Sequence, residues 1–284
     1  MEDDSHYDDS HDEGLRSDLP VLLLRRRRLL GLAGGLSVAG ALAACGLGPD
    51  DPPPPSASPS ASGSSIDTPQ SAADATPVQE VPDETAGPFP GDGSNGPNVL
   101  DDTGIVRADI RSSFGTSTTV ATGVPLTIRL TVRDAASGDA LTEAAVYAWH
   151  CDSKGGYSIY GSGLEDENYL RGVQPVDESG TATFTSIFPG CYPGRWPHIH
   201  FEVYPSVSGA IDSGPIVKTS QIALPRDASE AVYATDGYGR SLANLSGLSL
   251  AGDGVFGDDG GIHQIATMSG SVAAGYTASL TIGV

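Results

Sequence analysis

From Gly123 to Asp134 the chain alternates, with Val124, Leu126, Ile128, Leu130 and Val132 set against Thr127, Arg129, Thr131 and Arg133. A two-residue period of this kind predicts a half-buried strand, because successive strand side chains leave on opposite faces. The polar run Ala135-Ala136-Ser137-Gly138-Asp139 then breaks it as a turn. Further strand-like runs rich in β-branched and aromatic residues fall at Val146 to Asp152, Thr181 to Phe188, His198 to Tyr204, Ile216 to Leu224 and Ala278 to Val284. Only Ala228 to Thr235 suggests a helix, and a short one. Strands separated by Gly, Pro and Asp turns predict an all-β domain, a β-sandwich with long loops and little helix, over residues 100–284. That length is enough for one domain with its own core.

The first hundred residues have a different texture. Residues 1–28 are an acidic leader, with Asp3, Asp4, Asp8, Asp9 and Asp12, closing in the basic run Arg25 to Arg28. The apolar, small-residue run Leu29 to Ala44 follows, which is the charge-then-apolar order of an export signal. Arg26-Arg27-Arg28-Leu29-Leu30 resembles a twin-arginine signal, and Leu42-Ala43-Ala44-Cys45 resembles a bacterial lipobox. The run is short and weakly apolar for a membrane span, so cleavage before Cys45 and lipidation of its thiol is expected over a transmembrane anchor. The expected product is a cell-surface lipoprotein on the outer face of the cytoplasmic membrane, exported by the twin-arginine route. An acidic leader is unusual ahead of such a signal and suggests a start downstream of Met1. Residues 46–99 are dominated by Pro, Ser, Ala, Asp and Thr, with Pro52 to Pro55 in a row, and are expected to be a disordered tether.

The formal net charge is -21, and the chain after Cys45 stays strongly negative. A field of that sign excludes nucleic acid as the natural partner, since phosphate binding needs the opposite charge. It is compatible with an extracytoplasmic domain of either an enzyme or a binding protein. No pattern in the chain speaks to its oligomeric state.

Candidate chemistry concentrates at Pro189-Gly190-Cys191-Tyr192-Pro193-Gly194-Arg195-Trp196-Pro197-His198-Ile199-His200-Phe201. On a strand, His198 and His200 leave the same face one pleat repeat apart, so both imidazoles can reach one ion. Tyr192 precedes them in a Pro/Gly turn that can aim a phenol back at the strand. A His-x-His pair alone is a weak signal, but a second cluster lies upstream, where Trp149 closes a strand and the turn Ser153-Lys154-Gly155-Gly156-Tyr157 follows.

Read together, these segments resemble the intradiol ring-cleavage dioxygenases, non-haem ferric enzymes that open catechols between their two hydroxyl-bearing carbons. The family series is a strand ending in Trp, a G-x-Y turn, R-G, a strand, P-G-x-Y-x-x-R and H-I-H. Here it reads Trp149, Gly155-Gly156-Tyr157, Arg171-Gly172, Thr181 to Phe188, Pro189 to Arg195 and His198-Ile199-His200, in order, from about residue 100 onward. An ordered series is far more specific than any one part.

The resemblance implies a β-sandwich fold and an Fe(III) centre held by Tyr157, Tyr192, His198 and His200. It further implies a catechol-like substrate bound through both oxygens, with Tyr192 displaced to act as a base, O₂ as co-substrate, and a muconate-type diacid as product. Arg195 matches the arginine that stabilises negative charge on the activated ring, and Gln221 resembles a glutamine near the oxygen-binding side. Phenolate and imidazole donors suit ferric iron, whereas a Zn²⁺ hydrolase would more commonly pair His with Asp, Glu or Cys. Because the two tyrosine-bearing turns must meet at one ion, a disulfide between Cys151 and Cys191 is expected, two buried thiols being the alternative.

Neighbouring residues have plainer readings. Tyr160 is expected to be pocket wall or core, His150 a hydrogen-bonded structural histidine, and Trp149 and Trp196 packing or wall residues. Two other functions compete with ring cleavage. One is a non-catalytic, surface-anchored β-sandwich lipoprotein that binds a ligand. The other is a metal-dependent hydrolase using only His198 and His200, which leaves both tyrosines without a role.

Overall fold

A computed structural model describes residues 76–284. The acidic leader, the export signal, Cys45 and most of the expected tether lie outside the described residues. Among the described residues no helix is long and apolar enough to cross a membrane.

The domain is a sandwich of two four-stranded sheets. The first contains β1 (Pro125–Arg133), β4 (Thr181–Ile187), β7 (Thr267–Ser271) and β8 (Gly275–Gly283), in the order β4-β1-β8-β7. The second contains β2 (Ala145–Trp149), β3 (Arg171–Pro175), β5 (His198–Tyr204) and β6 (Lys218–Ala223), in the order β3-β2-β5-β6. All pairings are antiparallel except that of β1 with β8. Three short helices, α1 (Val207–Ile211), α2 (Arg226–Tyr233) and α3 (Ser241–Ser246), occupy the connections that follow β5 and β6. The all-β expectation is met, and α2 falls where Ala228 to Thr235 suggested a helix. Two strands carry almost no apolar alternation: β3 reads Arg-Gly-Val-Gln-Pro and β7 reads Thr-Met-Ser-Gly-Ser. Pairing with β2 and β8, rather than any pattern of their own, makes them strands.

The main core lies between the sheets. Leu126, Ile128, Leu130 and Val132 of β1 meet Val146 and Ala148 of β2, Ile199, Phe201 and Val203 of β5, and Ile222 of β6, all buried. The second sheet is covered on its other face as well: every residue of β2 and β5 is buried. There a separate cluster joins Ala145, Tyr147, Trp149, Val173 and Tyr204 to Val99, Leu100, Ile105 and Ala210.

Part of that cover is a correction to the sequence reading. The tether expected to run to residue 99 gives way near Val78 to a strap packed along the domain. The Val78 amide donates to Ala135 O (3.1 Å), that of Val81 to Gly283 O (3.1 Å), and that of Glu84 to Thr219 O (2.8 Å). Val81 is wholly buried, and Val99 and Leu100 nearly so. The strap therefore crosses from the first sheet to the edge strand β6 of the second. Its Pro- and Gly-rich composition looks like linker, but a segment that borrows its hydrogen bonds and apolar neighbours from an existing sandwich needs no internal pattern.

Candidate metal centre and its surroundings

Register across the second sheet builds the floor of the site. Arg171 pairs with Trp149, Trp149 with His200, and His200 with Gln221, so one row of four side chains spans β3, β2, β5 and β6. Directly opposed residues share a face. That face is the outer one, beneath the strap, and all four residues are buried. Trp149 stacks on the His200 imidazole with ring centroids 4.9 Å apart and planes 8° from parallel.

Two turns bring the tyrosines to this floor. Gly155 sits at φ +94°, where a Cβ would also come within 3.1 Å of Tyr192 Cβ, so glycine both makes the first turn and admits the second tyrosine. Gly190 approaches the same turn backbone to backbone: its Cβ would meet Ser153 O at 2.7 Å, and its amide donates to Asp152 O at 2.9 Å. Beyond Tyr157, Arg171 donates to Ser158 Oγ (3.0 Å) and Ser158 O (3.0 Å), holding the chain where Ile159 adopts φ 65°. A positive φ at a β-branched residue is a strained conformation that the surroundings must enforce. The turn from Pro189 to Arg195 is held from the far side by the C-terminal helices, with Tyr233 Oη donating to Pro189 O (3.0 Å), Cys191 N to Ser241 Oγ (2.9 Å) and Asn244 Nδ2 to Cys191 O (2.7 Å).

The four donor atoms named from the sequence converge. His198 Nε2 lies 3.1 Å from His200 Nε2, 3.1 Å from Tyr192 Oη and 3.4 Å from Tyr157 Oη, and His200 Nε2 lies 3.2 Å from Tyr157 Oη. Tetrahedral ligands at about 2.0 Å from a metal ion stand about 3.3 Å from one another. His198 Nδ1–H donates to Trp196 O at 2.6 Å, which fixes the tautomer and leaves Nε2 a lone pair facing the cluster. His200 Nδ1 has no hydrogen-bond partner among the described residues, and neither has Trp149 Nε1 beside it.

Burial works against charge on His198, His200 and Tyr157. It lowers the His198 imidazole to about 3, with the nearby Arg195 charge adding to the effect, and takes His200 well below its usual range. It pushes the Tyr157 phenol well above its ordinary value. Each phenol is within donating distance of an imidazole nitrogen, but the two Nε2 atoms also stand 3.1 Å apart, and a hard, multiply charged cation would suit the cluster by taking both lone pairs and ionising the phenols. The residues therefore fit ferric iron. Among the described residues no cluster of three or more His, Cys, Asp or Glu side chains offers another metal site.

Beside the cluster, Arg195 is buried, and its Nη2 donates to Gln221 Oε1 at 2.6 Å. Gln221 Nε2 in turn donates to Thr85 O of the strap at 2.9 Å. Sequence spacing places Gln221 loosely; the pairing of β5 with β6 places it opposite His200. Phe89 of the strap packs on Tyr157, with centroids 4.9 Å apart, and on Tyr160 at 5.2 Å. Tyr160 points away from the donor cluster, accepting from Gly91 N (2.9 Å) and donating to Asn95 Oδ1 (2.8 Å). His150 is buried between Cys151 O (2.8 Å) and Ser186 Oγ (2.7 Å), and desolvation lowers its pKa to about 4.

The expected disulfide is absent: Cys151 and Cys191 are both free and buried. The two turns do meet, but the thiols face different interiors. Cys151 belongs to the outer-face cluster and Cys191 to the inter-sheet core, with their sulfurs directed at Gly190 O and Arg195 O respectively.

Asp253 was not legible as a functional residue. It closes the 3₁₀ turn Leu250–Gly252 in a Gly/Asp-rich stretch that reads as surface loop, yet it is buried, and its Oδ2 accepts from Arg195 Nε at 3.1 Å. Burial alone would raise its pKa; the Arg195 charge and the amides of Trp196 and Val255 outweigh that and hold it below the ordinary carboxylate range. Glu202, on the same face of β5 as the histidines, has no such cation among the described residues, and burial raises it to about 7.

No protein-family model and no curated protein matches the sequence. Solved structures do match its shape, and the chain has the fold of the intradiol ring-cleavage dioxygenases. An intradiol ring-cleavage dioxygenase from Tetranychus urticae superposes with a TM-score of 0.58 at 24% sequence identity, over 72% of this chain and 94% of that one. A second dioxygenase structure gives 0.58 at 23% identity, with the same 72% and 94% coverage.

Proposed function

We propose that the protein is an intradiol dioxygenase that cleaves a catechol-like diol with O₂ and gives a muconate-type diacid. The observation that carries this reading is the contact of four donor atoms from Tyr157, Tyr192, His198 and His200 on a fold shared with such enzymes, with Arg195 and Gln221 alongside. Those four residues would hold the iron. Bound there, ferric iron would supply Lewis acidity toward a catechol-type diol and make its ring susceptible to O₂.

The chain's own groups do the rest. Tyr192, in the more accessible of the two turns, takes a proton from the incoming diol at its phenol oxygen. Arg195 stabilises negative charge that builds on the ring and its oxygens, from a buried position where such an interaction is strong. Phe89 and Trp149 keep the tyrosine and histidine donors dry. The reaction balances without an external reductant: the carbon–carbon bond between the hydroxyl-bearing carbons breaks, and both atoms of O₂ enter the product. Substrate choice among catechol, hydroxyquinol, protocatechuate and larger fragments is left to the loops around Phe89 and Tyr160. The signal ahead of Cys45 supports placement as a lipid-anchored protein on the outer face of the membrane, with iron loaded before twin-arginine export.

The test is the visible spectrum of the full chain after ferric loading. The expected result is a coloured protein with a tyrosinate-to-iron charge-transfer band that moves to longer wavelength with catechol under argon and is lost in His200→Ala. A protein that stays colourless sinks the reading in favour of a non-catalytic ligand-binding lipoprotein.

A further inference from the structure

Resting on that reading, we infer that Asp253 is a positioning residue, which fixes the Arg195 guanidinium in the orientation the reaction uses. Its carboxylate is divided between two tasks. Oδ1 accepts from Val255 N (2.8 Å) and Phe256 N (3.1 Å), which closes its own turn. Oδ2 accepts from Trp196 N (2.6 Å) and Arg195 Nε (3.1 Å), and its side chain is 1% exposed, as is that of Arg195. A turn-capping aspartate has no need of the second task, since one oxygen suffices for it.

The guanidinium is therefore gripped at two edges, Nε by Asp253 and Nη2 by Gln221. Gln221 is itself oriented, because its amide nitrogen is committed to Thr85 O, which leaves Oε1 toward the arginine. The resulting chain of bonds runs from the strap through β6 and the metal-ligand turn to the C-terminal loop. Without Asp253 the Nε edge of the guanidinium loses its anchor; with it, the charge is also balanced inside a dry site.

Asp253→Asn is a selective break. The amide oxygen can still cap Val255 and Phe256, while its NH₂ is set against two donors, Arg195 Nε–H and Trp196 N–H. In the iron-loaded full chain, kcat for catechol is expected to fall about 10- to 100-fold, in line with the loss of a group that orients a reacting residue. KM should move less than about threefold, and the ferric absorption band and iron content should be retained. Asp253→Glu, which keeps the charge, should recover part of the rate. In an Arg195→Met background Asp253→Asn should cost nothing further, because its effect passes through the arginine. An equal loss in both backgrounds, or an unchanged kcat in the single variant, overturns the inference.

The unfolding of the iron-free chain in urea provides a readout independent of turnover. The drop in midpoint caused by Asp253→Asn should be smaller in the Arg195→Met background than with Arg195 present; equal drops mean that Asp253 serves only the backbone amides of its own turn and of Trp196. An inactive wild-type protein would thus discard the dioxygenase reading and still decide whether Asp253 acts through Arg195.

Discussion

The two faces of the β3-β2-β5-β6 sheet are equally dry and chemically opposite. On the inner face Val146, Ala148, Ile199, Phe201, Val203 and Ile222 meet the other sheet. On the outer face Arg171, His198, His200, Glu202 and Gln221 are buried under the strap and the tyrosine turns. The inner face is stable because apolar area leaves water, a non-directional gain that tolerates approximate fit. The outer face gains little that way, and each polar group must find a specific partner or remain a liability. Arg171 finds Ser158, Pro90 O and Tyr147; Arg195 finds Asp253 and Gln221; the Tyr157, Tyr192, His198 and His200 donors find one another. One strand can thus carry a core and a cluster of polar donors at the same time, with the period of the strand keeping them apart.

The strongest way to break the outer face is to remove its cover. A chain beginning at Asp101 lacks Val81, Val99 and Leu100 from the two buried clusters and Thr85 from the Gln221 amide. At about 1.5–3 kcal/mol for each buried aliphatic side chain, the loss is expected to exceed about 5 kcal/mol, comparable to the whole stability of many domains. Circular dichroism should show an unfolded or molten chain, whereas a chain beginning at residue 76 should melt cooperatively. Equal melting of the two would remove the strap from the account.

Phe201→Ala tests the inner face alone. A cavity behind β5 should lower stability by about 3–5 kcal/mol in urea unfolding. Ferric binding, measured by the absorption band in the protein that remains folded, should persist, since Phe201 points away from the imidazoles. Loss of iron at full folding would mean that the two faces are not independent.

His150 sharpens the comparison through pH. Its folded pKa, about 4, lies below the 6.5 of a solvated imidazole, so between those values the unfolded chain binds the extra proton. The stability it contributes is full above about pH 6.5 and is lost as pH falls toward 4, by roughly 3 kcal/mol in all. His150→Asn should flatten the fall in urea midpoint between pH 7 and 4.5, compared in iron-free proteins. Parallel curves would mean that His150 opens to solvent before the domain unfolds.

The smallest effect is expected at Tyr160. Tyr160→Phe removes a hydroxyl that ties the strap at Gly91 and Asn95, well away from the donor cluster. About 1 kcal/mol of stability should go, with the ferric band unchanged. A lost band would instead make Tyr160 a ligand.

Much of the site was legible because its information is local. The two-residue period sends His198 and His200 to one face whatever lies opposite, and Gly155, at φ +94°, announces a turn that favours glycine. The series from Trp149 to His200 fixes donor types and order. Other features had no local signal. A Pro- and Gly-rich strap reads the same whether it is solvated or docked, and β3 and β7 have no pattern to find. Adjacent cysteine-bearing turns said nothing of thiol direction, so the expected bridge failed although the turns do meet.

By itself, then, the sequence determined the strand periods, the turn glycines and the identity of the donors, since each depends on residues a few positions apart. Tertiary structure alone decided what covers the face that carries the donor cluster, that residues from Val78 onward belong to the domain, and that Asp253 reaches Arg195 across 58 positions and Thr85 reaches Gln221 across 136. Contacts at such separations follow from the packing of the whole chain, where many weak burial terms are settled together and no short window carries the answer.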